Sequence, residues 1–363
     1  MAISEVPMKP SGQGVTGSAE APQDAIRRMA GGFVMTQVLH TAVLAGVADG
    51  IGSTPCDSGE LAQHLQLDPV ALRRFMRMMV VLNLLGETDD GRFQLTEVGR
   101  ILRADHPESM RDRILYLGAI HYPASASAYH SLKTGQPAFD HVFGLDYFSY
   151  LSQHSDLSRY FNGLMQDSVH RRISGIRKTY DFSRFEHIVD IGGGNAALLI
   201  AILSESRCAQ ATLFDAPGVI SEARIRIADA GLERRIRVTE GDLFDGPYPQ
   251  GGDLYILSNI IHDWDDERSK VILRHCRQSM GKGSTLILIE EILPRRVKES
   301  PATIANDYSM LLLTGGRERT AEEYRMLIED DADLRLNHIA PFGLATSDPD
   351  RAGKWAIMEC RVR

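Results

Sequence analysis

Asp190, Asp215, Asp242 and the pair His262-Asp263 each stand where an apolar run gives way to a polar turn. Asp190 opens Asp190-Ile-Gly-Gly-Gly194, and missing side chains at Gly192 and Gly194 let backbone N–H groups approach a polar ligand closely. Asp215 ends the next apolar run, where a carboxylate can accept both hydroxyls of a ribose. Gly241-Asp242-Leu243 offers an acceptor for an adenine amino group beside an apolar surface for the ring, and Asp190 is placed to reach an ammonium through the backbone or a water. His262-Asp263-Trp264 adds an imidazole, the side chain best suited to take a proton near neutral pH. A nucleoside cofactor with a base beside it is the chemistry this order implies.

A dinucleotide site is the rival, because Gly192-x-Gly194-x-x-Ala197 followed by an acid also satisfies that fingerprint. The glycine turn alone does not separate the two. The acid directly before the turn and Gly241-Asp242-Leu243 favour the single nucleoside, and Ser258 to Trp264 fills with chemistry the side a second nucleotide would need.

These residues need a frame. From His187 onward short β runs alternate with helical stretches: Ile188–Asp190, Ala211–Phe214, Ile236–Thr239, Leu254–Leu257 and Leu286–Ile289. That alternation predicts a doubly wound parallel sheet binding its ligand beyond the carboxyl ends of its strands. Lys354 to Arg361 reads as a final strand inserted antiparallel, and Asp330 to Leu334 leaves the boundary of the strand before it open. Residues 108–180 are helical and rich in aromatics and methionines. Phe161, Met165 and Ser168 share one face there, the wall of a substrate pocket or simply core.

The N-terminal third reads differently. Residues 1–22, rich in Gly, Pro and Ser, bury too little apolar surface to offset ordering entropy and are expected to be disordered. Ala25 to Gly50 fits one broad-faced apolar helix, which suggests burial against a partner. Asp68-Pro69 opens a helix running to Leu85, Gly86 ends it, and Thr88 to Leu95 forms a hairpin, a winged helix-turn-helix pattern. Arg73, Arg74 and Arg77 could touch DNA. The apolar residues around them and a net charge of −8 point instead to a dimerisation module.

The chain has 363 residues, 43% hydrophobic, enough for one large domain and a smaller one. No apolar run reaches membrane-spanning length and no signal peptide is evident, so a cytoplasmic protein without membrane partners is expected. Cys56, Cys208, Cys276 and Cys360 are too scattered for a metal site and are expected to be reduced and mostly buried.

In order along residues 25–363, the winged module, the helical middle, Asp190–Gly194, Phe214-Asp-Ala-Pro217, Gly241-Asp-Leu-Phe244, Ile261-His-Asp-Trp-Asp265, Glu290-Glu-Ile-Leu-Pro294 and Gly315-Gly-Arg-Glu-Arg-Thr320 resemble S-adenosylmethionine-dependent O-methyltransferases of the caffeic acid and acetylserotonin type, bacterial natural-product members included. The resemblance implies an α/β Rossmann-like class I methyltransferase domain with a mostly parallel sheet (181–363), an α-helical winged-helix dimerisation domain (23–105) and a helical linker and pocket region between them (106–180). It implies S-adenosyl-L-methionine held by Asp190, Gly192, Gly194, Asp215, Asp242, Leu243, Phe244 and Ser258, the last standing where plant members often have lysine. It also implies His262 as catalytic base flanked by Glu290 and Glu318, with Phe161, Met165, Asp263 and Met310 on the acceptor side. The third glycine usual in the turn is Ala196 here.

The chemistry suits these types. A phenol with a pKa near 10 is a weak nucleophile at neutral pH, so an imidazole must take its proton while a carboxylate, Glu290 or Glu318, fixes the tautomer. No metal is required. Because Glu290 adjoins Glu291, one of the two is expected to be solvated, and Glu318 between Arg317 and Arg319 also admits a surface ion pair. The expected function is methylation of a phenolic hydroxyl on a small aromatic intermediate of secondary metabolism or antibiotic biosynthesis, by a homodimer joined through its N-terminal domain. Three alternatives are a look-alike that binds the cofactor but hydroxylates, decarboxylates or runs a pericyclic step, a NAD-dependent oxidoreductase, and a ligand-responsive DNA-binding regulator.

Overall fold

The computed structural model describes residues 21–205, 209–331, 333–344 and 354–363. The disorder expected of residues 1–22 falls, through residue 20, outside the described residues, as does Cys208. The chain divides into two compact units between Pro123 and Ala124.

In the first unit the helix expected over Ala25–Gly50 is three: Pro22–Ala30, Gly32–Leu44 and Val47–Ile51. The breaks fall at Gly31 and at Gly46, whose φ of 68° is left-handed and ends a helix at little steric cost in glycine. Val38, Ala42, Val43 and Val47 are buried, whereas Ile26, Met29, Phe33 and Leu44 remain exposed. Asp57 caps helix Ser58–Leu65, and Asp68 caps Pro69–Val81 by accepting from the Ala71 amide at 2.7 Å. That second helix stops at Val81, short of the expected Leu85, because the chain turns through Asn83 in a left-handed conformation. Gly86 thus belongs to a strand, β1 (Leu85–Glu87), which pairs antiparallel with β2 (Phe93–Leu95) as the wing.

The second unit is built on seven strands: β3 (His187–Ile191), β4 (Gln210–Asp215), β5 (Ile236–Glu240), β6 (Leu254–Ser258), β7 (Thr285–Glu291), β8 (Leu334–Phe342) and β9 (Trp355–Val362). Their order is β5-β4-β3-β6-β7-β9-β8, parallel from β5 to β7, with β9 antiparallel between β7 and β8. β8 is regular apart from a bulge at Leu336/His338.

Period-two alternation sends Ile188, Ile256 and Ile287 into one core and Val189, Leu257 and Leu288 into the other. Each buried aliphatic side chain contributes roughly 1.5–3 kcal/mol, so a strand such as β7, buried throughout, anchors whatever its C-terminal end carries. Strand order reverses between β3 and β6. The crevice beyond their carboxyl ends is the switch point where such sheets bind ligands.

Candidate active site

At that switch point β3 runs directly into the glycine turn. Gly192 (φ 67°) donates to the Phe214 carbonyl at 2.8 Å, and a side chain there would come within 2.4 Å of Ile260 Cδ1. Gly194 (φ 58°) faces open space and donates its amide to Asp215 Oδ2 at 2.7 Å, while Asp215 Oδ1 accepts from Ala216 at 2.7 Å. Asp215 therefore ties the turn to the end of β4. Ala196, the residue replacing the family's third glycine, also sits at positive φ (66°), a conformation costing an alanine about 1–2 kcal/mol.

Asp190 is 1% exposed, and neither carboxylate oxygen has a hydrogen-bond partner among the described residues. Burial, reinforced by the charge of Asp215, pushes its carboxyl up to about 7. An orphaned acid beside a cradle of bare backbone fits a ligand carrying an ammonium group. Asp242 is exposed and accepts from the Phe244 amide at 2.7 Å. Leu243 and Phe244 are half-buried, and Phe244 packs edge-on against Trp264 with ring centres 4.8 Å apart. The Arg268 guanidinium lies 5.5 and 5.3 Å from those two rings, and Phe148 packs on Trp264 at 5.3 Å. Ser258 ends β6, half-buried.

His262 lies on a 3-10 turn, Ile261–Asp263, and is 6% exposed. Its Nδ1 is 2.8 Å from Glu318 Oε1, which also accepts from Asn306 Nδ2 at 2.5 Å. A carboxylate only accepts, so Nδ1 carries the hydrogen and Nε2 is the nitrogen left for chemistry, with Asp263 Oδ1 3.8 Å away. Glu290 is placed differently from expectation. Its Oε1 accepts from the Ile260 and Ile261 amides at 3.0 and 2.9 Å, so it holds the backbone leading into the turn rather than the ring.

The expected solvated member of the acid pair is also absent, because Glu290 and Glu291 are 0% and 8% exposed. Glu318 is not a surface ion-pair residue either, being 1% exposed with its amide donating to Asp307 Oδ1 at 2.9 Å. Gly316 lets this loop approach the base: a Cβ there would stand 2.1 Å from the His262 carbonyl oxygen. Of the acceptor-side residues, Phe161 and Met310 are half-buried and Phe161 packs near Tyr147 with ring centres 5.8 Å apart, whereas Met165 is exposed.

Burial alone would depress the basicity of His262. The charges of Glu318, Asp263 and Glu290 and the hydrogen bond to Glu318 outweigh it, raising the imidazole to about 10. Burial lifts Asp263 to about 6 and Glu290 and Glu291 to about 7, against the lowering effect of the imidazolium. For all of these groups the folded state binds protons more tightly than the unfolded chain. The acids' contribution is therefore fully present below their ordinary range near pH 4 and lost through about pH 7, and that of His262 is present below about 6.5 and lost through about 10. The cofactor-free protein should thus show a Tm that falls steadily between about pH 5 and 9 at constant ionic strength, checked by calorimetry, and a Tm rising over that window would contradict this assignment.

Sequence reasoning missed Arg172, Asn306, Asp307 and Arg319. Arg172 is 2% exposed, bonds Asn259 Oδ1, and stacks over Trp355 with its guanidinium carbon 4.3 Å from the ring centre. Its position inside the long helix Ser155–Thr179 gives no local sign of burial.

The O-methyltransferase domain profile matches residues 127–332, more than half of the chain, and the O-methyltransferase dimerisation domain profile matches residues 28–105. The chain belongs to the O-methyltransferase family. It is 38% identical to an O-demethylpuromycin-O-methyltransferase of Streptomyces alboniger over 89% of this chain and 86% of that protein. It is also 38% identical to a 3-amino-4-hydroxybenzoate 4-O-methyltransferase of Streptomyces cremeus over 90% of each chain. An O-methyltransferase from neocarzinostatin biosynthesis, solved with S-adenosylmethionine and 2-hydroxy-5-methyl naphthoic acid, superposes with a TM-score of 0.82 at 29% identity, covering 95% of this chain and all of that one.

The protein is an S-adenosylmethionine-dependent O-methyltransferase with a class I methyltransferase fold and an N-terminal dimerisation domain. The dinucleotide reading of the glycine turn is set aside with that cofactor, and the winged module is the family's dimerisation domain. Among the described residues no helix is long and apolar enough to cross a membrane.

Proposed function

We propose that this O-methyltransferase methylates a hydroxyl, phenolic by preference, of a small aromatic natural product or biosynthetic intermediate, with His262 as general base. The observation that carries the proposal is the buried pair His262–Glu318, 2.8 Å apart, on loops beside the switch point. The aromatic acceptors named for the Streptomyces cremeus enzyme and in the naphthoic acid complex support the substrate class.

Asp190, Gly192, Gly194, Asp215, Asp242, Leu243, Phe244 and Ser258 would hold S-adenosylmethionine, and the orphaned Asp190 carboxylate beside an open glycine cradle fits its ammonium end. Bound there, the cofactor supplies an electrophilic methyl on a positively charged sulfur. His262 accepts the acceptor's hydroxyl proton at Nε2, and Glu318 stabilises the imidazolium through the Nδ1 hydrogen. A positively charged ligand brought close to His262 would oppose the field of Glu318, Asp263 and Glu290 that keeps the imidazole charged, returning it toward the range in which it works as a base. Glu290 positions the turn through the Ile260 and Ile261 amides. Phe161, Met165, Asp263 and Met310 would orient the acceptor, since aligning oxygen, methyl and sulfur supplies much of the rate.

Incubation with the cofactor and a panel of hydroxylated aromatics, read by mass spectrometry, should give a product in which methyl replaces one hydrogen. Turnover to a hydroxylated or decarboxylated product instead would sink the reading.

The exposed apolar side chains of Ile26, Met29, Phe33 and Leu44, within or beside the segment matched as a dimerisation domain, would join two copies of the chain. Light scattering should find a dimer, and Phe33→Asp with Leu44→Asp should shift it to monomer; an unchanged dimer would remove these side chains from the interface.

A further inference from the structure

A buried guanidinium must satisfy its whole planar fork of donors, and Arg319, 0% exposed, does so around the turn that carries His262. Its Nη1 donates to the Ile261 carbonyl at 3.0 Å and its Nη2 to the Trp264 carbonyl at 2.8 Å, the two carbonyls that bracket His262-Asp263. Nε and Nη2 reach Asp266 Oδ1 at 3.0 and 2.8 Å, and Nη2 also approaches Ser269 Oγ at 3.3 Å. Nη1 lies 3.4 Å from the Arg317 carbonyl. The backbone of Arg319 is itself fixed to the end of β7 through a bridge to Ile292, and its carbonyl accepts from Leu293 at 2.9 Å.

We propose that Arg319 is a positioning residue for methyl transfer, a rigid clamp that holds the His262 turn in register with Glu318, its neighbour in sequence. Successive residues on an extended segment point to opposite sides, so one short stretch delivers the carboxylate to the imidazole and the guanidinium to the backbone that bears it. Base and carboxylate then share one mounting, and neither can shift without the other.

This inference rests on the reading of His262 as base, and the experiment separates the two. In the full-length enzyme, kcat, the KM for S-adenosylmethionine and the downfield proton NMR signal of His262 Nδ1–H, assigned by its loss in His262→Ala, are measured for Arg319→Lys, Arg319→Met and Asp266→Ala. Lysine keeps the charge but not the fork, so kcat should fall about 10- to 100-fold with a cofactor KM within about twofold, and the downfield signal should broaden or vanish. Asp266→Ala, altering a half-exposed acid that anchors the guanidinium, should change both readouts in the same direction by a smaller factor.

Wild-type kcat in Arg319→Lys, or a lowered kcat with the downfield signal intact, overturns the proposal. If neither Arg319 variant folds, Asp266→Ala decides alone: a lowered kcat with an altered signal supports the clamp, and any other result overturns it. Full turnover in His262→Ala defeats the base reading itself, whereas its loss there alongside an unaffected Arg319→Lys defeats only the clamp.

Discussion

Replacing His262 by alanine should lower kcat by about 10² to 10⁴-fold, the usual contribution of a positioned general base. Cofactor affinity should stay close to wild type, because the groups assigned to the cofactor, Asp190 and Asp215 with the glycine turn, lie at the carboxyl ends of β3 and β4 and on the turn after β3, whereas His262 is carried by the turn after β6. Single-turnover kinetics and calorimetric titration read the two quantities separately. Removal of the ring also leaves Glu318 buried with Asn306 as a remaining partner, so some loss of stability should accompany the loss of rate. An undiminished kcat would mean that alignment alone drives the reaction, and a collapse of cofactor binding would mean that the residue is structural.

Glu318→Gln should cost on the order of 10²-fold or more in kcat, since an amide can offer either an acceptor or a donor to Nδ1 and no longer fixes which nitrogen carries the proton. The change also has a signed effect on pH dependence. Glu318 is the foremost of the charges that raise His262, so neutralising it weakens the imidazolium, and the acidic limb of kcat/KM against pH should move to lower pH. A limb that stays in place or moves upward would refute the assignment of Glu318 as the partner of the base. The conservative variant matters here because the side chain is fully enclosed, and a glutamine fills nearly the same volume.

What the sequence made legible follows from how each feature is built. Strands buried on both faces read as apolar runs, and for that reason the sequence places β3, β4, β6 and β7 within a residue or two of their ends, whereas the half-exposed edge strand β5 shows only as alternating Ile236 and Val238. The cap at Asp68 and the wing depend on local turn chemistry, which a sequence displays directly. The apolar period continues across Gly31 and Gly46, so the sequence predicts one long N-terminal helix, and only the backbone shows that the chain turns there.

The site divided along the same line. His262 and Glu318 were named as residue types, and the structure places them in direct contact. The work of Glu290 on two backbone amides, the burial of both members of the acid pair, and the roles of Arg172 and Arg319 depend on which loops pack together after folding. Nothing in Arg-Glu-Arg distinguishes an arginine with no exposed surface from one, Arg317, that is half-exposed and paired with Asp266 and Glu323.

The packing of Trp264 edge-on to Phe244 equips the protein with an optical reporter. The chain holds two tryptophans, and the other, Trp355, is enclosed beneath the Arg172 guanidinium on β9. Ultraviolet emission from the unlabelled enzyme should therefore register cofactor binding beside Phe244, as proposed above, mainly through one indole, and a Trp355→Phe background would isolate that signal for stopped-flow work.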